Sequence, residues 1–159
     1  MPEEIIYFKS PVGTVKISGS NDGIQSVVFI DEDLMTSINI PNSLKSCLIQ
    51  LEEYFTGTRK DFNLKLNPNG TDFQNRVWNE LKKIPYGKTR SYMEQTKQLG
   101  DIKAIRAVAS ANGKNPISII IPCHRVIGSD GSLRGYAGGI WRKKWLLEHE
   151  NPSRQTSLF

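Results

Sequence analysis

The stretch Ile119-Ile120-Ile121-Pro122-Cys123-His124-Arg125-Val126-Ile127 decides how this chain reads. Three isoleucines carry the backbone toward an interior. Pro122 then interrupts any regular element, because it has no N–H to donate and its ring fixes φ. A thiol, an imidazole and a guanidinium follow without a break. Taken alone, a buried cysteine is as often a small apolar core residue as a reactive one. A free thiol ionises at a pH of about 8.5, so a base or a positive charge beside it is needed to make a nucleophile at neutrality. Adjacent side chains on an extended segment point apart. His124 can therefore serve Cys123 only through a local turn or a bridging water. A carboxylate from elsewhere in the chain would orient the ring.

Outward from this stretch, the C-terminal side runs Gly128-Ser129-Asp130-Gly131-Ser132-Leu133-Arg134-Gly135-Tyr136-Ala137-Gly138-Gly139, and its five glycines predict a loop. A helix is expected over 140–149, carrying Trp141, Trp145, Leu146 and Leu147, with Asn151-Pro152 as its stop. Residues 153–159 read as a frayed tail. On the N-terminal side, Thr71-Asp72-Phe73-Gln74 and Ser91-Tyr92-Met93-Glu94 are two capping boxes, each opening a helix. The first helix presents Phe73, Val77, Trp78 and Leu81. The second runs to Leu99, turns at Gly100, and leads to a third over about 102–112 that Asp101 can cap. Two short helices joined through a glycine make a helix-turn-helix. Its second helix, Ala104-Ile105-Arg106-Ala107-Val108-Ala109-Ser110-Ala111, is nearly all small residues, with Arg106 alone projecting. Readers of the major groove carry several long polar side chains here. Small ones suit close approach to the minor groove, although an alanine-rich core helix reads the same way.

The first seventy residues carry no visible chemistry. Strands are expected over 5–9, 12–18 and 24–30, as an antiparallel meander. A helix carrying Leu44, Leu48, Leu51, Tyr54 and Phe55 ends at Gly57, and a strand-like run covers 62–66. Asn67-Pro68-Asn69-Gly70 is the best boundary in the chain. The organisation expected is thus a small α/β scaffold over 1–70, a helix-turn-helix domain over 71–152 that carries Cys123, and the tail.

The 159 residues suit one domain or two small ones, and no stretch is long and apolar enough to span a bilayer. The opening Met1-Pro2-Glu3-Glu4 is acidic and unlike a signal peptide, which points to the cytoplasm. The net charge of +5 is unevenly placed. Residues 71–159 hold fifteen Lys or Arg against seven Asp or Glu, and residues 1–70 hold six against nine. A basic half of this kind suits a polyanionic partner, or merely keeps the chain in solution. Cys47 and Cys123 are the two cysteines, and His124 and His149 the two histidines, too few for a closed zinc site. Cys47 falls on the apolar helix and reads as core.

The run Ile121-Pro122-Cys123-His124-Arg125-Val126 resembles the acceptor motif of the O6-alkylguanine-DNA alkyltransferases, and the likeness extends over about residues 71–150. It implies an α/β (α+β) protein: a small N-terminal sheet-plus-helix domain, then a winged helix-turn-helix domain carrying the acceptor cysteine, with the glycine-rich loop as its wing. Such proteins act by flipping O6-alkylguanine out of double-stranded DNA, and O4-alkylthymine with it. They transfer the alkyl group irreversibly to the cysteine, once per molecule. Extruding a base from the stack costs a few kcal/mol. By this resemblance Cys123 is the nucleophile, His124 the base acting through a water, and Glu150 the carboxylate that orients it. Glu148 is a competing choice from the residues alone. Tyr92 presses on the phosphate and donates to guanine N3, and Arg106 fills the vacated stack. Ser129 contacts DNA. Tyr136 walls the pocket, the carbonyls of Cys123 and Val126 accept from the guanine amino group, and Asn115 ties the turn to the recognition unit. Some relatives have serine at Ala137, where a backbone N–H can still reach O6. Gly138 leaves room for larger alkyl groups.

No cofactor and no metal are expected, since the lesion is itself the alkyl donor and the N-terminal part has no histidine for the structural zinc of some relatives. A monomer is expected, with cooperative binding along DNA left open. Three other readings predict different behaviour. An alkyltransferase-like lesion binder lacks the cysteine, a winged-helix regulator reads the major groove, and a cysteine hydrolase needs an oxyanion hole.

Overall fold

A computed structural model describes residues 2–153. The 154–159 part of the expected tail lies outside the described residues. Contacts divide the chain into two compact units, Met1–Asn69 with Pro116–Ser118, and Gly70–Asn115 with Ile119–Phe159.

In the first unit, β1 (Glu4–Ser10), β2 (Gly13–Ser20) and β3 (Gly23–Ile30) form the expected antiparallel meander. Its register pairs Ile6 with Ile17, Phe8 with Val15, and Ile17 with Val27. Alternation puts these side chains on one face. Against them lies α1 (Asn42–Phe55), whose Leu44, Cys47, Leu48, Leu51, Tyr54 and Phe55 recur at helical spacing and are buried. Cys47 is fully buried, and its thiol is pushed up to about 12 by desolvation.

The strand-like run over 62–66 is not a strand. It makes a single parallel bridge, Leu66 with Ile24, through Ile24 N–H to Lys65 O (2.9 Å) and Asn67 N–H to Ile24 O (2.7 Å). A side chain of α1 takes the backbone groups a strand would have used. The Gln50 amide donates to Asn63 O (3.1 Å) and accepts from Asn63 N–H (2.9 Å). The edge of β3 is instead met from far along the chain. Val27 N–H donates to Pro116 O (2.9 Å), and Ser118 N–H donates to Val27 O (2.8 Å).

The second unit holds α2 (Asp72–Leu81), β4 (Arg90–Ser91), α3 (Tyr92–Gln98), α4 (Ile105–Gly113), β5 (Val126–Ile127) and α5 (Ile140–Glu150). Both capping boxes form, Thr71 with Gln74 and Ser91 with Glu94. Gly100 turns the chain at φ +100°, a conformation that favours glycine. The third helix starts later than expected. The Asp101 side chain accepts from Lys103 N–H (3.0 Å) and its carbonyl from Ala104 N–H (3.0 Å), so a 3-10 turn over Ile102–Ala104 precedes α4. Trp78 of α2 donates its indole N–H to Ala111 O of α4 (2.9 Å), inside a core with Val77, Leu81, Ile84, Val108 and Leu146. A second cluster gathers Ile127, Leu133, Leu147 and Ile140. Two features were not anticipated. Val126–Ile127 pairs in parallel with Arg90–Ser91. The glycine-rich run between β5 and α5 carries no strand among the described residues.

Candidate active site

Ile119 takes φ +72° although it is β-branched and buried, and the chain turns there rather than continuing as a strand. Pro122 then leads into a 3-10 turn over Cys123–Arg125, closed by Arg125 N–H to Pro122 O (3.0 Å). This is the local turn that adjacent side chains need. The Asn115 amide donates to Ile121 O (2.8 Å) and holds the start of the turn. Cys123 is half-buried and faces a cavity of about 540 Å³.

His124 is fully buried behind it. Its Nε2 lies 2.7 Å from Glu150 Oε2, and its Nδ1 has no hydrogen-bond partner among the described residues. Glu150, in the last turn of α5, is held by more than the imidazole. Arg125 donates Nε to Oε1 (2.8 Å) and Nη2 to Oε2 (3.1 Å), while its Nη1 donates to Ile84 O (2.7 Å). Gly87 N–H reaches Oε1 at 3.4 Å. Burial alone would push this carboxyl up. The His124 ring and the Arg125 guanidinium outweigh it and hold Glu150 well below the usual carboxylate range. Burial also lowers His124 below its ordinary value, with Glu150 only partly restoring it, so the ring is neutral. A neutral ring that donates Nε2–H to an ionised carboxylate presents Nδ1 as an acceptor.

The thiol runs against simple expectation. Burial pushes Cys123 up, and the Asn115 side chain and the Lys143 ammonium pull it back only in part. At rest it is a neutral thiol and needs a base.

Tyr92, Arg106, Cys123, Tyr136 and Ala137 share the cavity wall. Arg106 is exposed on α4, among Ala107, Ala109 and Ser110, which are exposed too. Tyr92 begins α3 and donates its hydroxyl to Arg134 O (2.8 Å). Burial first, then the nearby Cys123, raises Tyr92, which keeps it a neutral donor. Ser129 lines a smaller recess of about 310 Å³ that shares Tyr92 and Arg134 with the cavity. Asn115, Val126 and Gly138 do not line the cavity. Asn115 lies behind the turn, Val126 is buried in β5, and Gly138 O accepts from Arg142 (3.0 Å). His149 stacks on Trp145, with centroids 4.8 Å apart.

Sequence reasoning missed Lys143. It is fully buried, and its ammonium donates to Arg134 O (2.8 Å), Gly135 O (3.4 Å) and the Tyr92 hydroxyl (3.4 Å). Burial lowers it to about 8, with Cys123 pulling the other way. The signal was in the register of α5, where Lys143, Leu146, Leu147 and Glu150 fall on one helical face. Arg125 stood in plain view of the motif, but its hold on Glu150 was not read.

A buried imidazole aimed by a carboxylate, sharing a turn with a cysteine that opens on an apolar cavity beside a small-residue helix, marks a protein whose own thiol is the reacting group. The description "6-O-methylguanine DNA methyltransferase, DNA binding domain" matches residues 72–152, and the ribonuclease-like domain of the same proteins matches residues 5–68. The chain belongs to the 6-O-methylguanine DNA methyltransferase family. It is 47% identical over 150 residues to the methylated-DNA–protein-cysteine methyltransferase of Methanosarcina acetivorans, covering 90% of this chain and 95% of that one. The protein of the same name from Mycobacterium tuberculosis is 45% identical over 153 residues, covering 94% and 93%. The crystal structure of the M. tuberculosis O6-methylguanine methyltransferase matches with a TM-score of 0.85 at 40% identity, over 98% of this chain and 97% of that one. A structure of the M. tuberculosis protein in complex with DNA matches with a TM-score of 0.83 at 44% identity, over 92% and 91%.

Proposed function

We propose that this chain repairs alkylated DNA by direct reversal, taking the alkyl group from O6 of guanine in double-stranded DNA onto Cys123. The observation that carries the reading is the His124 ring, locked by Glu150 through Nε2 and presenting a buried Nδ1, unpartnered among the described residues, within the turn that holds the thiol. The N-terminal unit acts as scaffold. The unit containing α3 and α4 binds the duplex, with α4 in the minor groove and Arg106 in the gap left by the extruded nucleotide. No helix among the described residues is long and apolar enough to cross a membrane. We place the protein in the cytoplasm, where such a substrate is met.

The Cys123 proton passes to His124 Nδ1, directly or through one water, and Glu150 stabilises the imidazolium. The thiolate sulfur attacks the alkyl carbon in line with the C–O6 bond. An S–C bond forms, the C–O6 bond breaks, and its electron pair leaves on the guanine. The Tyr92 hydroxyl leaves Arg134 O to donate a hydrogen bond to guanine N3 and stabilises that charge, with the Lys143 ammonium beside the phenol oxygen, and the proton that makes the guanine neutral returns from the imidazolium through solvent. The thioether is stable, so each molecule acts once. O4-methylthymine offers the same alkyl–oxygen bond and is the second substrate to try.

The test is intact-protein mass after mixing with duplex DNA carrying O6-methylguanine, beside a Cys123→Ala control. The expected result is a gain of one methyl group per protein, absent from the control. Tight lesion binding with no gain in mass would show a non-enzymatic lesion binder instead.

A further inference from the structure

We propose that the Arg134 guanidinium binds a phosphate of the strand whose nucleotide enters the Cys123 cavity, and that Asp130 holds it ready in the free protein. The inference rests on the repair reading for the identity of that strand. Arg134 lies on the wall of both the cavity and the adjoining recess that contains Ser129, so it stands on the lip between them.

Its backbone and its side chain are fixed separately. The carbonyl accepts from the Tyr92 hydroxyl and the Lys143 ammonium, both at 2.8 Å. The guanidinium donates Nε to Ser132 Oγ (2.9 Å) and has Nη2 3.6 Å from Asp130 Oδ2. Asp130 Oδ1 in turn accepts from Ser132 N–H (3.0 Å) and Ser132 O–H (2.6 Å). The loop closes so tightly on this group that a Cβ at Gly128 would lie 2.6 Å from Ser132 Oγ, 2.8 Å from Asp130 Oδ1 and 2.9 Å from Arg134 Nε. Only glycine fits there without displacing the network.

A guanidinium held by its Nε still presents an outward fork, the geometry that matches two phosphate oxygens. The pair with Asp130 is loose and open to solvent, with side chains 63% and 66% exposed. Exposed ion pairs of this kind contribute little. A phosphodiester that offers two oxygens to the outward fork can therefore take the place of this loosely held carboxylate. In the free protein Asp130 and Ser132 hold the guanidinium against the loop. On DNA the arginine changes partner.

The test is binding of the full chain to an undamaged duplex and to one carrying O6-methylguanine, across a series of salt concentrations. Arg134→Gln is expected to weaken binding about fivefold and to flatten the dependence of log Kd on log salt by about 0.9, the contribution of one phosphate contact. Arg134→Lys keeps the charge and is expected to keep the slope while losing part of the affinity. Asp130→Asn keeps an acceptor for Ser132 and is expected to tighten binding. An unchanged slope in Arg134→Gln overturns the proposal. So does an Arg134→Lys slope as flat as that of Arg134→Gln, because loop shape rather than charge would then be at stake. The repair reading fails separately, on the absence of methyl transfer from the damaged duplex to wild-type protein.

Discussion

Lys143 is a fully buried cation whose hydrogen-bond partners among the described residues are two carbonyls and a phenol, with no carboxylate. That is costly, and the cost has a sign in pH. Its ordinary value of 10.5 falls to about 8 in the fold. Between the two, the unfolded chain binds more protons than the folded one, so folding becomes more favourable as pH rises. Lys143→Met removes this dependence. Wild type is expected to gain on the variant by up to roughly 3 kcal/mol between pH 7 and pH 10, read from urea midpoints. The same variant is expected to slow methyl transfer roughly tenfold or more, because the cation beside the developing thiolate is gone. Glu150→Gln acts the opposite way on stability. It leaves Arg125 buried without its counter-charge and is expected to cost about 3–5 kcal/mol. Glu150 sits below its ordinary value of 4.5, so its contribution is complete above that pH and is lost as acid is added. The variant's stability should accordingly fall less steeply in acid than that of wild type. Cys123 and His124 stood together in the motif, whereas the residues alone left Glu148 and Glu150 as alternatives and only the family resemblance chose Glu150, the carboxylate that lies 2.7 Å from His124 Nε2. Lys143 was missed although its place on the buried face of α5 was legible, because its partners, two loop carbonyls and a phenol, are brought to it only by the fold.

At the level of elements, what was legible is what is local. Both capping boxes span four residues, and both form as read. The run over 62–66 failed because Gln50, thirteen residues away, bonds the Asn63 backbone. The helix-turn-helix was legible through Gly100, but the pair that joins its two helices was not. Gln95 and Asn112 exchange amide hydrogen bonds of 2.8 and 2.7 Å while buried. Gln95→Met fills similar space but leaves the Asn112 amide without that partner. It is expected to cost about 1–3 kcal/mol in thermal or urea unfolding. Asn112 also lines the cavity, so the same variant should weaken binding to duplex DNA. An unchanged unfolding midpoint would show that the pair carries no net stability.

Across the whole molecule, the division of charge was legible by counting, while the path of the chain was not. Pro116–Ser118 belongs to the first unit although residues on both sides of it belong to the second. The chain therefore crosses from one unit to the other three times. Three residues without a strand pattern give no sign of this, because their hydrogen bonds run to Val27, about ninety residues earlier. The expected consequence is that the Val27 and Ser118 amides become exchangeable in one opening event. Native-state hydrogen exchange should give both the same opening free energy. Ser118 exchanging much faster than Val27 would show that the excursion opens alone.

Ile119 stands where that excursion ends and the catalytic turn begins. A β-branched residue at φ +72° is strained by about 1–3 kcal/mol and keeps that shape only while its surroundings hold it. The turn that sets Cys123 beside His124 is thus among the parts of the chain that cannot persist before the rest is in place. A nascent or partly melted chain has an ordinary, unassisted cysteine. Base-assisted transfer is thus open only to the folded chain, in which burial keeps the resting thiol neutral.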